Sequence, residues 1–413
     1  MLLNRNQLSD RFKQNSVLAS STFAFTMCFM VWTMFSVIAI PIRDELGLSE
    51  FQFGLLTAMP VLSGSLIRIP LGMMTDRFGG RKVFLWLLAI SIVPIYLIQS
   101  VSNYYALLAI GLLMGLAGGS FSVGTPYVSK WFPPHRKGLA MGVFGAGNMG
   151  SSLNTLIAPS IIALGSWHLV PKVYALMITF TFLVFLIFSF HDESHISREG
   201  SSLKNQIRLL RDPKVLCYSQ LYSVVFGGYV GLALWLTSYY RAEFALPLTV
   251  AGVLAACFSM PGGVLRAFGG WLSDKFGAYR VTAAVLWVCF ISFFILSYPK
   301  TDFIVETIRG DLSLHISLNV YFFTAILFLV GVAMAVGKAS VFKFISDEYE
   351  ENIGAVSGIV GLAGGLGGFL LPILFGFALD LTGIRSSCFM LLFGTTCVSL
   401  IYLAWSRKTL NED

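Results

Sequence analysis

Runs of about 18 to 28 apolar residues recur along the chain with short polar breaks between them, and each run matches the ~20 residues that a helix needs to cross ~30 Å of hydrocarbon. Twelve are legible, at 17–42, 51–75, 83–101, 104–131, 136–164, 170–190, 215–242, 248–273, 281–299, 318–345, 353–379 and 386–405. The most polar internal segment, HDESHISREGSSLKNQIRLLRDPK at 191–214, falls between the sixth run and the seventh. It predicts an amino-terminal six-helix bundle over 1–190, a cytoplasmic linker over 191–214 and a carboxy-terminal bundle over 215–413. The halves echo each other at fixed offsets. Adding 198 carries Arg68, Gly72, Asp76, Phe78 and Gly79 onto Arg266, Gly270, Asp274, Phe276 and Gly277, and adding 216 carries Gly138, Gly142 and Gly145 onto Gly354, Gly358 and Gly361. Parallel six-span repeats about an axis along the membrane normal are how one large transporter class is built, with substrate held at the midplane. The predicted fold class is therefore an all-α membrane protein, twelve transmembrane helices in two pseudo-symmetric six-helix bundles.

Composition and charge agree with that pattern. A chain of 413 residues that is 56% hydrophobic, 12% charged and +0.77 in mean hydropathy lies outside the range of soluble globular domains. With the amino terminus placed inside, eighteen Lys/Arg fall on the cytoplasmic side against six on the other: Arg43, Lys172, Arg241, Lys300, Arg309 and Arg385. The positive-inside bias then puts both termini in the cytoplasm, with the chain in the cytoplasmic membrane. The first run follows a basic start (Arg5, Arg11, Lys13) but exceeds a signal-peptide core and has no small-residue cleavage site after it, so it reads as a retained span. The net charge of +7 reflects topology, and no basic run with interleaved aromatics points to nucleic acid. The six cysteines form no CxxC pair and read as packing residues. His191 and His195 have the spacing of a helical metal pair, but no third ligand is suggested, so neither a metal nor a cofactor is expected.

Arg68 and Arg266 break the apolar pattern well inside the second and eighth runs, each eight residues before an Asp-containing loop. An ionised side chain at membrane depth costs roughly 2.5 kcal/mol or more on insertion scales, which makes it a functional candidate. No Asp or Glu lies within the runs; Asp76, Asp274, Asp347 and Asp380 sit at their ends. A buried charge is tolerable when paired or hydrogen-bonded, so the missing counter-charge is most simply a bound anion. Arg stays protonated and presents a planar fork of donors suited to planar oxyanions. Snorkelling is the competing account, since eight helical residues span ~12 Å. It explains one arginine more easily than two at equivalent points of a repeat. Lys338 and Lys343 add two charges in the tenth run and are candidates for coupling; Lys343 lies near the cytoplasmic end and could equally be a solvated or packing residue.

The loop sequence GMMTDRFGGRK at 72–82 and its second copy resemble the signature of the major facilitator superfamily, which implies a gating role for Asp76, Arg77, Arg81 and Lys82 and for Asp274, Lys275 and Arg280. Glycines dominate the fourth, fifth and eleventh runs, where close helix packing accounts for most of them. Asn148 is not explained by packing, because its amide offers both a donor and an acceptor within that face. GAGNMG at 145–150 and GLAGGLGG at 361–368 resemble the paired signatures of the nitrate/nitrite porter family, GGSFSVGTPYVSKWFP at 118–133 resembles its fourth span, and YSVVFGGYVG at 222–231 its seventh. The resemblance implies that Arg68, Arg266 and Asn148 bind the anion, that Tyr222 hydrogen-bonds it, and that Phe121, Phe226 and Phe35 plug the path above and below. Gly145, Gly147, Gly361, Gly364 and Gly365 belong to the signature faces. Two positions depart from the family pattern: Lys338, where a small or neutral polar residue is expected, and Gly361, which matches a Ser in some members.

The function implied is a secondary active transporter of nitrate and/or nitrite working by alternating access, through exchange or through proton-coupled nitrate symport. A carrier of another small organic anion is the rival within the fold, and phenylalanine plugs with glycine walls argue for a cargo of few heavy atoms. An intramembrane enzyme would need buried nucleophile, base or metal groups that the runs lack. A channel fits a two-half repeat with latch loops poorly. The expected partners are the anion and membrane lipid, with the chain acting as a monomer.

Overall fold

The computed structural model describes residues 9–191, 209, 211–308, 310–349 and 353–409. Arg5, Arg309, His195 and most of the predicted linker lie outside the described residues. Among the described residues twelve helical stretches follow in order: α1 (Asp10–Leu46), α2 (Glu50–Phe78), α3 (Gly80–Ser100), α4 (Tyr104–Trp131), α5 (134–163), α6 (Leu169–Phe188), α7 (Pro213–Glu243), α8 (248–276), α9 (Ala278–Ser297), α10 (Val320–Glu348), α11 (Ile353–Thr382) and α12 (Ser387–Thr409). Ten are long and apolar enough to cross a membrane, and α8, bent by 50° between Val264 and Arg266, makes an eleventh. The remaining stretch, α5, occupies the fifth predicted span and is helical throughout, but its polar content, Asn148 and Asn154 included, leaves it outside that count.

Local chemistry sets the helix ends. Ser49 and Gln52 form a capping box that starts α2, and the Asn103 and Asn319 side chains accept the first free N–H groups of α4 and α10. Gly79 and Gly277 turn the chain after α2 and α8 at φ +85° and +84°, a conformation that explains why both copies of the repeat carry glycine there. Among the described residues one element is not helical. β1 (Thr301–Thr307) and β2 (Gly310–Ile316) form an antiparallel hairpin between α9 and α10, with Phe303 opposite Leu314 and Val305 opposite Leu312.

Six helices are interrupted part-way along: α1 at Thr33–Met34, α2 at Ile67, α4 and α5 by 3₁₀ turns at Gly115–Gly119 and Ala146–Met149, α7 by a π turn at Ser223–Gly227, and α8 at Leu265. Backbone groups freed by such breaks need partners that lipid cannot supply, so irregular backbone at membrane depth belongs inside protein or along a cavity. The first six helices pack among themselves, as do the last six, and the two sets meet chiefly where α2 crosses α11 and where α5 crosses α8.

These crossings are tight at one face of the molecule and loose at the other. A Cβ on Gly54 of α2 would stand within 2.3 Å of the Pro372 carbonyl oxygen of α11, and one on Gly376 within 2.1 Å of Glu50 O. At the same face the Asp380 carboxylate accepts the N–H groups of Glu50 and Phe51 at 3.1 and 2.8 Å, and Arg241 of α7 pairs with Asp44 of α1 at 3.2 Å. Toward the opposite ends of the same helices, Cβ atoms on Gly72, Gly138, Gly358 and Gly361 would meet nothing within 4 Å. The two sets of helices are thus closed together at the Asp380 face and more open toward the Asp76 face, where Gly142 of α5 still packs on Ala267 of α8.

Gly54→Ala is expected to lower the thermal unfolding midpoint in detergent, overpacking of this kind costing about 1–3 kcal/mol, whereas Gly72→Ala, pointing into open space, should leave the midpoint unchanged or raised. Equal midpoints for the two variants would contradict the tight crossing.

Candidate anion-binding site

Arg68 and Arg266 are each the first residue after the break in their helix, at Ile67 and Leu265. Both are half-buried. Each leans on a glycine of the opposite set of helices. The Arg68 guanidinium donates to the Gly361 carbonyl of α11 at 3.2 Å, and the Arg266 side chain passes Gly145 of α5, where a Cβ would lie 3.6 Å from its Cδ. Gly145 and Gly361 are the pair that the sequence repeat equates, so the contacts obey the same pseudo-symmetry as the arginines.

Aromatic rings flank both charges. The Arg68 guanidinium carbon lies 5.2 Å from the Phe226 ring centre and 5.9 Å from that of Trp32; Arg266 lies 5.2 Å from Phe121 and 5.3 Å from Phe342. Tyr222 joins the two groups, stacking on Phe226 at 5.1 Å and meeting Phe342 edge-on at 5.0 Å. The path from one guanidinium to the other therefore runs over Phe226, Tyr222 and Phe342. Ring faces stabilise a cation modestly, by roughly 0.5–2 kcal/mol, and cannot replace a counter-ion. Neither arginine is in an ion pair among the described residues, and Arg68 Nε is buried with no hydrogen-bond partner. A buried donor left unmade costs about 1–3 kcal/mol, more when charged, and an oxyanion acceptor would remove that cost.

The glycines make room for the aromatics. A Cβ on Gly364 would strike the Tyr222 ring at 2.4 Å, and one on Gly147 would strike the Phe25 ring at 2.3 Å; Phe25 in turn stacks on Phe144 and packs on Phe121. The π turn at Ser223–Gly227 adds a residue to the helical turn between Tyr222 and Gly228, and Phe226 still stacks on Tyr222 across it. Asn148 sits in the 3₁₀ turn of α5, buried, with its amide donating to Gly145 O at 3.1 Å. Phe35 is buried just past the break in α1 and packs on Gly111 of α4.

A family model described as Major Facilitator Superfamily matches residues 21–308. The chain belongs to the major facilitator superfamily. Among its relatives, the "Probable nitrate/nitrite antiporter NarK1" of Thermus thermophilus is 38% identical over 94% of this chain and 90% of that protein. The "Nitrite extrusion protein" of Bacillus subtilis is 29% identical over 95% of this chain and 94% of that one, and a "Probable nitrate transporter NarT" of Staphylococcus aureus is 29% identical over 93% of each. The resemblance to the nitrate/nitrite porter family is borne out by these relatives. A solved structure of the nucleoside transporter NupG superposes with a TM-score of 0.74 over 94% of this chain and 99% of that one, at 12% identity, a likeness of fold.

In this facilitator the signature loops are engaged as matched pairs. Asp76 lies 3.8 Å from Lys130 of α4, and Asp274 lies 3.3 Å from Lys343 of α10. Lys343 also pairs with Asp347 at 2.8 Å, which ties this candidate coupling residue to the helix end. Arg77 is exposed and lies over Phe78, and Arg81 donates to Leu186 O and the Ser189 hydroxyl at the end of α6. Lys338 is fully buried beside the α8 bend. Across the halves, Gly365 meets Ser65 and Gly263 meets Met149, each a contact within 2.7 Å of an added Cβ.

Trp32, Phe342 and Gly263 escaped the reading of the sequence. Phe342 stands next to the candidate Lys343 in the tenth run, and the repeat offset of 198 places Gly263 opposite Ser65, so both carried a usable signal. Trp32 carried none, since an aromatic in an apolar run is unremarkable without its neighbours.

Arg68→Lys and Arg266→Lys should each weaken binding of a planar oxyanion by tenfold or more, about 1.4 kcal/mol, because the fork is lost while the charge stays. Near-native affinity of either variant in a ligand-induced thermal-shift titration would show that charge alone suffices.

Proposed function

We propose that this facilitator exchanges nitrate and nitrite across the cytoplasmic membrane by alternating access about Arg68 and Arg266. The observation that carries the reading is the reciprocal contact of each arginine with the opposite half's glycine, combined with a buried Arg68 donor that has no partner. The relatives' names supply the cargo, and the flanking rings of Phe121, Phe226 and Tyr222 suit a small planar anion.

The moving bodies are residues 1–190 and 215–413, joined through 191–214. With the basic loops in the cytoplasm, the more open Asp76 face is the cytoplasmic one and the closed Asp380 face the outer one. A bound oxyanion accepts N–H groups from both guanidiniums and so ties the halves together in any orientation. Without it, closure of the Asp76 face would confine two like charges in a medium of low dielectric, where their repulsion is strongest. Reorientation then proceeds readily when loaded and poorly when empty. Entry of one anion against an interior-negative potential costs ~2.3 kcal/mol per 100 mV. An outgoing anion of equal charge cancels that cost, which favours exchange over uniport. Asn148 and Tyr222 orient the anion, Gly145, Gly147, Gly361, Gly364 and Gly365 give the sliding faces, and Asp76, Arg77 and Asp274 act at the inner latches.

In proteoliposomes loaded with nitrite, external labelled nitrate should enter quickly, and removal of the internal anion should slow entry by at least tenfold with no pH gradient imposed. Nitrate accumulation driven by a pH gradient into anion-free vesicles would overturn exchange in favour of proton symport through Lys338.

A further inference from the structure

At the α8 bend the last carbonyls of Leu248–Val264 lose the donors that a continuous helix would give them. Leu265 N–H reaches Pro261 O at 3.0 Å. The next carbonyl, Gly262, instead takes the Lys338 ammonium from α10 at 2.5 Å. Lys338 is fully buried, and no carboxylate pairs with it among the described residues. Its Nζ rests 3.5 Å from the centre of the Tyr229 ring, and Gly262 allows that ring to approach, since a Cβ there would meet it at 2.2 Å. The Tyr229 hydroxyl donates to Ser259 O at 2.8 Å and lies 3.2 Å from the Ser151 hydroxyl of α5. The repeat equivalent of that carbonyl in α2 is Gly64 O, and among the described residues no lysine serves that half; the Trp32 indole N–H donates one turn earlier, to Pro60 O at 2.7 Å.

We infer that Lys338 is a positioning residue for Arg266: its N–H donors cap the carbonyl end of the first α8 segment and thereby hold the bend that aims the guanidinium. The inference rests on the anion-exchange reading of Arg266. A cation at a helix carboxyl end is favoured by the partial negative charge of the exposed carbonyls, and Arg266 is four residues beyond the capped carbonyl, the residue whose N–H would occupy Gly262 O in an unbroken helix. Lys338 thus stands in for the hydrogen bond that the bend removes. It does not touch the anion.

The test compares nitrate exchange by the full-length protein, Lys338→Met and Lys338→Gln in proteoliposomes, with thermal unfolding as the folding control. Lys338→Met keeps bulk and removes every donor; it should raise the half-saturating nitrate concentration about tenfold with less than twofold change in maximal exchange. Lys338→Gln keeps an uncharged N–H donor and should recover affinity to within about threefold of the unsubstituted protein. Native affinity in Lys338→Met overturns the inference, as does a Gln variant no better than Met, which would assign the effect to charge instead of capping. Should Lys338→Met not fold, Lys338→Gln decides alone, since a tenfold loss there overturns capping. Failure of the underlying reading looks different, because the unsubstituted protein then shows no saturable nitrate exchange at all.

Discussion

Two guanidinium groups held in the apolar interior without carboxylate partners are the constraint around which this molecule is arranged. Burial of a charge is tolerated only against compensating hydrogen bonds or an opposite charge, and the protein supplies partial compensation. Arg68 has one carbonyl and two ring faces, and Arg266 has two ring faces. The deficit is what supports the proposed anion site. A carboxylate beside either arginine would satisfy that charge within the protein and remove the deficit.

The helix interruptions follow from the same constraint. Each arginine is the first residue after an interruption, Arg68 after Ile67 and Arg266 after Leu265. The carbonyls freed near each break need donors that lipid cannot give. Lys338 serves one such carbonyl, Gly262 O, in the second half, so the fold repeat is symmetric while its bracing is not.

Closeness at one end and separation at the other give the interface its direction. The glycine contacts at Gly54, Gly376, Gly263 and Gly365 leave backbone against backbone or against short side chains, surfaces with little to interlock. Such surfaces can slide without large rotamer changes, and the polar contacts at the closed face, Asp380 on the α2 amino end and Arg241 on Asp44, are exposed enough to exchange for water.

The sequence by itself determined the membrane class, the positions of the helices, the repeat and the two arginines, because spans need sustained apolar length and an ionised group within one stands out against it. The offset relations also marked Gly145 and Gly361 as equivalents before either was known to meet an arginine. The β-hairpin at 301–316 was not legible, since its short alternation is weak beside twelve helical runs. Nor were the partners of each charge. Trp32, Phe342 and Phe35 look alike in an apolar run, and only packing places the first two beside guanidiniums and the third against Gly111. Lys338 likewise reads as a bare buried charge until the bend in α8 exposes the carbonyl that it caps. Periodicity and composition encode what a segment does in lipid, but the direction of a side chain at a helix break depends on neighbours far away in the chain, and that was decided by the tertiary structure.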